Sequence, residues 1–396
     1  MKILWANTVF LHPTNRGGQI RTLEMLKWLH RWHEVHYVAL AESNDQEGIE
    51  RSIEYCSKVY PIPFRTVDKS SIEFNLQLLK GTVSPLPVAV LRRQSEPMKT
   101  FLAELTAREA FDSIVCDFLV TTVNMPRLND SVLFQHNVET VIWQRYAETA
   151  TNPLKKAYFA MQARKMFAYE KRVSLASKHV ITVSDIDAGL SRDMFRMKTV
   201  TPAPTGVDVD YFRPQPSEPV ADLVFVGSMD YMANIDGVLW FVREILPLIR
   251  KRRPDTTVAI VGRKPSSEIR ALADKLTQVT GSVPDVRPYL WGSSISIVPL
   301  RIGGGTRLKV YESMAAGTAI VSTTIGAEGL SYEPGRNIEL GDDPESFANV
   351  CVDLLEDQAR RARLAAAGLD LVQSRFSWES VTREFEAILN QNRLTS

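Results

Sequence analysis

Cysteine is scarce in this chain: Cys56, Cys116 and Cys351 are the three among 396 residues. They stand far apart, with no Cys-x-x-Cys pair and no histidine cluster beside them. Neither a disulfide framework nor a structural zinc site is expected, and the usage fits a reducing compartment. No run of about 18 apolar residues free of charge occurs, so no spanning helix is expected. The opening MKILWA enters a strand pattern directly and lacks the basic segment and apolar core of a signal peptide, which makes a cytoplasmic location the expectation. An excess of one charge is missing too: 47 Lys and Arg face 46 Asp and Glu, a formal net charge of +1. That balance argues against a nucleic-acid partner. No DxD-like acid pair sits at a strand end with a suitable partner, so no essential metal and no resident cofactor is expected. Fine repeats and low-complexity tracts are absent.

What remains is an ordinary globular composition, 44% hydrophobic and 23% charged, on a chain long enough for two separate cores. Strand and helix patterns alternate in both halves, which predicts an α/β fold with parallel sheets. The most informative run is 296–330, SIVPLRIGGGTRLKVYESMAAGTAIVSTTIGAEGL. An apolar strand runs into Gly303-Gly304-Gly305. A helical stretch from Thr306 to Ala316 follows, stopped by Gly317, and then a second strand, Ala319–Ser322. A glycine loop at a helix N-terminus offers unpaired backbone N–H groups and the positive end of the dipole, a place for phosphate. Arg307 and Lys309 stand in the first turn, where cations oppose the dipole unless an anion shares the site. A tight turn with solvated basic residues is the alternative.

This run resembles the nucleotide-sugar site of retaining glycosyltransferases of family 4, with the GT-B fold, in a GGGTRLK-type subgroup. In that family the helix ends in Glu-x-Met-Ala-x-Gly, here Glu312 to Gly317, and the Glu hydrogen-bonds the donor ribose. The alternative for Glu312 is a surface pairing with Lys309 one turn earlier. Two departures accompany the resemblance. Many members carry a second Glu, where this chain has Gly304. Many also carry a phosphate-binding Arg and Lys after the first strand of the domain, where this chain has Ser228 and Asn234. The phosphate charge is then expected from the available cations Arg307 and Lys309 and, if only one of them serves, from Arg307, whose fork matches phosphate oxygens. Gly262-Arg263-Lys264-Pro265, after the strand Thr257–Val261, is expected to line the nucleotide base, with Thr280–Tyr289 as the other wall.

In the first half, the strand Met1–Ala6, the pair Gly17-Gly18, a helix over 19–33 and the strand Val35–Leu40 form a βαβ start. The resemblance implies that this glycine pair faces the donor diphosphate. Arg21 could reach a phosphate, although a solvated surface residue is the commoner case, and His12 lies in the same loop. The strand Phe111–Phe118 ends near Asp117. The strand Ser131–Gln135 runs into His136-Asn137-Val138-Glu139-Thr140, and ligands of doubly wound sheets meet strand C-termini. This segment resembles the one in which a family His approaches the donor sugar. Residues 79–97 read as a loop-helix excursion lining an acceptor pocket, or as ordinary packing. Residues 154–176 form an amphipathic helix with interleaved basic and aromatic residues. That pattern leaves open an interfacial helix, peripheral at the inner face of a membrane, beside a packed helix with a solvated basic face. Glu170 resembles the family's recurrent Tyr-Glu there.

Five prolines over 201–222 mark a linker. The expected domains are 1–203, an acceptor-side Rossmann-like unit on which a C-terminal helix 378–396 packs back, and 204–377, the nucleotide-sugar unit, the two facing a cleft. The function implied is retaining transfer of a hexose-type sugar from a nucleoside diphosphate sugar to a hydroxyl of a sugar or lipid-linked acceptor, as in polysaccharide biosynthesis. His136, Arg307 and Lys309 are the expected catalytic groups. A nucleotide-sugar 2-epimerase of the same fold and a non-catalytic partner subunit are the alternatives.

Overall fold

The computed structural model describes residues 1–14, 17–68, 71–150, 152–302 and 307–394. The chain divides into two units, Met1–Pro204 with Val381–Ser396, and Thr205–Ser380. Each is built on one all-parallel sheet.

The first unit carries β1 (Lys2–Asn7), β2 (Glu34–Ala41), β3 (Lys58–Pro63), β4 (Ser113–Asp117), β5 (Ser131–Gln135), β6 (His179–Thr182) and β7 (Val200–Pro202). Their spatial order is 3-2-1-4-5-6-7. The order reverses between β1 and β4, which pair through Ala6 and Cys116, so that the strand ends there leave a crevice of the kind where doubly wound sheets bind ligands. Strands β1, β4 and β5 are almost wholly buried, as near-continuous apolar runs between two helix layers should be. The helix Gly17–Trp32 buries Leu23, Leu26 and Leu29 on the expected face. It also buries Arg21, which is therefore no solvated surface residue.

Residues 79–97 divide between the end of a helix, Ile72–Val83, a proline turn and a short helix, Val88–Leu91. Val88 and Val90 are buried, so this part of the excursion packs. The helix Pro153–Ala176 buries Met166, Tyr169 and Glu170. Its aromatic side thus faces the core and the neighbouring helix Glu139–Thr149, where Phe159 meets Trp143 and Tyr146 at ring-centroid distances of 6.1 and 5.7 Å. The last helix, Trp378–Gln391, begins in the second unit and ends in the first. There Phe385 packs on Trp5 and Phe134.

The second unit carries β8 (Ala221–Val226), β9 (Val258–Val261), β10 (Thr277–Gly281), β11 (Ser293–Val298), β12 (Ala319–Ser322) and β13 (Glu339–Leu340), in the order 10-9-8-11-12-13. Here the reversal falls between β8 and β11. The helix after β11 spans Leu308–Ala315, shorter than the sequence pattern suggests, and Arg307 is its N-cap residue rather than a member of its first turn. It stops where foreseen. Gly317 has φ +69°, a left-handed conformation that glycine adopts without steric cost, and its N–H donates to the Met314 carbonyl at 3.0 Å. Among the described residues no helix is long and apolar enough to cross a membrane.

Candidate functional site

In the first unit the groups at the switch point converge on one carboxylate. Asp117, at the end of β4, accepts from Trp5 Nε1, Asn7 Nδ2 and Thr22 Oγ1 on one oxygen, at 3.1, 2.7 and 2.8 Å. Its other oxygen meets His136 Nε2 at 2.7 Å. A carboxylate accepts, so Nε2 carries the proton and Nδ1 is the nitrogen left for a ligand. Phe118 stacks flat on the imidazole, with centroids 3.9 Å apart and planes at 9°, and adopts φ +66° to do so. Burial holds the His136 pKa below the usual histidine value against the opposing pull of Asp117, and Arg21 lowers it further. Gly17 opens its helix. Gly18 has a concrete steric reason to be glycine: a Cβ there would lie 2.7 Å from the Phe118 ring and 3.5 Å from His136 Nδ1. His136 and Gly18 are therefore neighbours, which nothing in their 118-residue separation reveals. His12, by contrast, is buried beside Glu54, 3.3 Å from its carboxylate, and Thr14.

The loop after β5 is set from below by Glu170, a residue whose role the sequence shows only as a recurrent Tyr-Glu. Its carboxylate accepts from the Glu139 and Thr140 backbone N–H groups at 2.9 and 2.7 Å and from Thr140 Oγ1 and Gln135 Nε2. It thereby caps the helix Glu139–Thr149 from outside, because Val138 offers no side-chain cap. Burial pushes Glu170 up to about 7.

In the second unit the strand ends of β8 and β9 touch through glycine. A Cβ on Gly262 would fall 1.8 Å from the Gly227 carbonyl oxygen, so no side chain fits. The Met229 N–H donates to the Arg263 carbonyl at 2.9 Å, locking the two loops together. Lys264 follows at φ +53°. On this frame the cations take positions that the sequence order hides. Arg263 Nε donates to Ser228 Oγ at 2.8 Å. Lys309 Nζ donates to Asn234 Oδ1 at 2.9 Å and lies 4.3 Å over the Phe225 ring. Ser228 and Asn234 are the two positions where the resemblance anticipates cations, and each holds a cation from another element, Arg263 from the loop after β9 and Lys309 from the helix Leu308–Ala315. Asn234 in turn donates to the Ser228 carbonyl at 2.7 Å. Ser228 Oγ donates to Asp230, which Ser228, Arg263 and Lys264 together hold below the usual carboxylate range.

Burial lowers Lys309 to about 7, and the nearby Arg307 lowers it further. Burial raises Glu312 to about 7, with Lys309 opposing. Arg307 is buried and turns its Nε toward the Ile325 carbonyl, on the loop after β12, at the long distance of 3.5 Å. Lys309 is the residue of this helix whose ammonium meets Asn234 at the corner. Gly303, Gly304, Gly305 and Thr306 lie outside the described residues. Asp285, on the other expected wall, is taken up by the fork of Arg287, at distances of 2.6–3.0 Å. Among the described residues no group of three or more His, Cys, Asp or Glu side chains converges as a metal site.

A pair of parallel α/β units, each with helices on both faces and polar groups gathered at its switch point, defines the GT-B class of fold. The match to solved structures runs through the whole chain. Sucrose-phosphate synthase from Thermosynechococcus elongatus superposes with a TM-score of 0.69 at 19% identity, covering 99% of each chain. HepE of Anabaena in complex with UDP superposes with a TM-score of 0.67 at 13% identity, covering 99% of this chain and 100% of that one. HepE has also been crystallised with UDP-glucose.

In sequence, residues 221–357 match the family Glycosyl transferases group 1. An uncharacterized 44.6 kDa protein in the cps region of Klebsiella pneumoniae is 20% identical over 99% of this chain and its own full length. The GDP-mannose-dependent monoacylated α-(1-6)-phosphatidylinositol monomannoside mannosyltransferase of Corynebacterium glutamicum is 27% identical over 47% of this chain, and the match spans 55% of that enzyme.

Proposed function

We propose that the chain is a metal-independent, retaining glycosyltransferase of family 4 that moves a hexose-type sugar from a nucleoside diphosphate sugar to an acceptor hydroxyl. The observation that carries this reading is the corner at Ser228 and Asn234. Two cations arrive there from separate elements, Arg263 from the loop after β9 and Lys309 from the helix Leu308–Ala315, in the very unit that matches the glycosyltransferase family.

In the proposed reaction the bond between the anomeric carbon and the diphosphate oxygen breaks, and its electron pair leaves with the diphosphate. The acceptor oxygen bonds to the same face of the carbon, and its proton passes to the leaving phosphate oxygen. Negative charge therefore grows on the diphosphate in the transition state. Lys309 and Arg263, already held by Asn234 and Ser228, meet that charge without reorganising. Arg307, at the N-cap of the helix Leu308–Ala315, adds a buried cation where the dipole is also positive. Glu312, on the same helix, accepts from the ribose hydroxyls. In the first unit, His136 with its Nε2–H tied to Asp117 offers Nδ1 to a sugar hydroxyl. Gly17, Gly18 and Gly262 belong to the same reading as donor-binding positions, as do Gly303, Gly304, Gly305 and Thr306.

The test is incubation of the purified chain with UDP-glucose and with GDP-mannose, with and without chelator, following nucleotide release. Slow release from one donor, unaffected by chelator, is the expected result. Isomerised donor without release makes the chain an epimerase, and no binding or turnover of any nucleotide sugar removes the proposal.

A further inference from the structure

The helix Ile72–Val83 has two apolar sides. The inner side packs: Arg92 lies 4.7 Å over the Phe74 ring, and a Cβ on Gly81 would come within 2.9 Å of Val88. The helix Pro153–Ala176 holds the C-terminal end, where Lys165 Nζ donates to the carbonyls of Gly81, Thr82 and Ser84 at 2.8, 2.7 and 2.7 Å. The outer side is Ile72, Leu76, Leu79 and Val83, exposed by 80, 53, 63 and 86%. Steps of four, three and four residues at ~100° per residue bring all four within a sector of about 60°. Single exposed aliphatics are ordinary, but four in one unbroken stripe mark an interaction surface.

The charges about the stripe are positive. Lys80 is exposed beside it, and Glu73, the helix's one acid, is met by Arg65 at 3.6 Å. The helix that holds Gly81 begins with exposed Leu154, Lys155 and Lys156. A second copy of the chain is a poor occupant, since a stable protein interface takes about 20–30 residues a side and this stripe offers four. A narrow aliphatic ridge about 17 Å long, with Lys80 along its edge, suits the boundary between acyl chains and anionic head groups. We propose that the helix Ile72–Val83 seats the protein on an anionic membrane surface, with the four aliphatics in the boundary layer and Lys80, Lys155 and Lys156 at the lipid phosphates. This assigns the membrane contact to a helix other than the basic-aromatic one that the sequence pattern singles out.

The experiment is co-sedimentation of the full chain with vesicles of phosphatidylcholine, alone or mixed with phosphatidylglycerol. The wild type should pellet with the mixed vesicles only, less so as salt is added. Leu76→Ser with Leu79→Ser should weaken partitioning at least ~10-fold. Lys80→Gln with Lys155→Gln and Lys156→Gln should weaken it ~100-fold. All five side chains point outward, so both variants should keep the wild-type melting temperature; if the serine variant does not, the lysine variant decides. Failure of the wild type to bind mixed vesicles overturns the proposal. So does unchanged binding in the lysine variant, or a vesicle-free dimer that the serine variant dissolves.

Discussion

Lys309 carries its ammonium where water is scarce. Burial lowers it to about 7, while the Phe225 face and the Asn234 amide are its neutral company. A diphosphate at the same corner would favour the charged form, so binding at neutral pH should take up a proton. Glu312 behaves in the opposite sense: raised to about 7, it loses its charge on the acid side and with it the charge-assisted bonds to ribose. UDP affinity should therefore peak near pH 7. Lys309→Met should remove the alkaline fall and Glu312→Gln the acid fall, and titration calorimetry in buffers of different ionisation enthalpy reads both. At the optimum, Glu312→Gln should cost about 1–3 kcal/mol of nucleotide affinity; an unchanged affinity in the folded variant rules out the ribose role. Stability moves the other way. A carboxyl raised in the folded state contributes stability that is full below its unfolded value and lost as pH rises through about 7. Glu312→Gln should thus melt higher than the wild type at pH 7.5 and no higher at pH 4.5.

Elements decide which residues meet. The helix and its Gly317 stop were legible because they are local: spacing and a left-handed C-cap both lie within one run of sequence. The pairing of Arg263 with Ser228 was not, because it depends on β8 and β9 being neighbours with their ends locked through Gly227 and Gly262. The same holds for Lys309 at Asn234 and for Gly18 under His136, each fixed by sheet order rather than by spacing. Sequence reasoning placed both cations of the cradle in one helical turn. The fold makes Arg307 the N-cap, keeps Lys309 in the first turn and carries its side chain to Asn234, in the helix Met232–Trp240 after β8. Two substitutions test the elements. Gly262→Ala forces a Cβ onto the Gly227 carbonyl oxygen, and backbone cannot rotate aside as a side chain can. It should destabilise the second unit by at least ~3 kcal/mol and weaken nucleotide binding, seen as a lower melting temperature and a higher Kd. Glu170→Ala leaves the first amides of the helix Glu139–Thr149 without their acceptor. Hydrogen exchange at Glu139 and Thr140 should quicken, and the His136 loop should lose order with it.

Over the whole molecule, the polar chemistry is divided between two sheets that share one design. Each gathers its groups about the point where strand order reverses: Asp117 at the end of β4 with His136 after the neighbouring β5, and the Ser228–Asn234 corner after β8 with Lys309 from the helix after β11. A nucleotide without its sugar should engage only the second set. Amide-exchange mass spectrometry with UDP or GDP, whichever binds, should show new protection in peptides covering 225–234, 262–264 and 307–317. Peptides covering 117–140 should be unchanged. Saturation at ~100 times Kd adds about 2.7 kcal/mol to the state that binds, enough to slow exchange there about 100-fold. Adding the intact nucleotide sugar should extend protection to the His136 loop, because the proposed contact from Nδ1 is to the sugar. Protection of 117–140 by the bare nucleotide would place the diphosphate on the first unit instead, and the assignment of Arg263 and Lys309 would fall with that result.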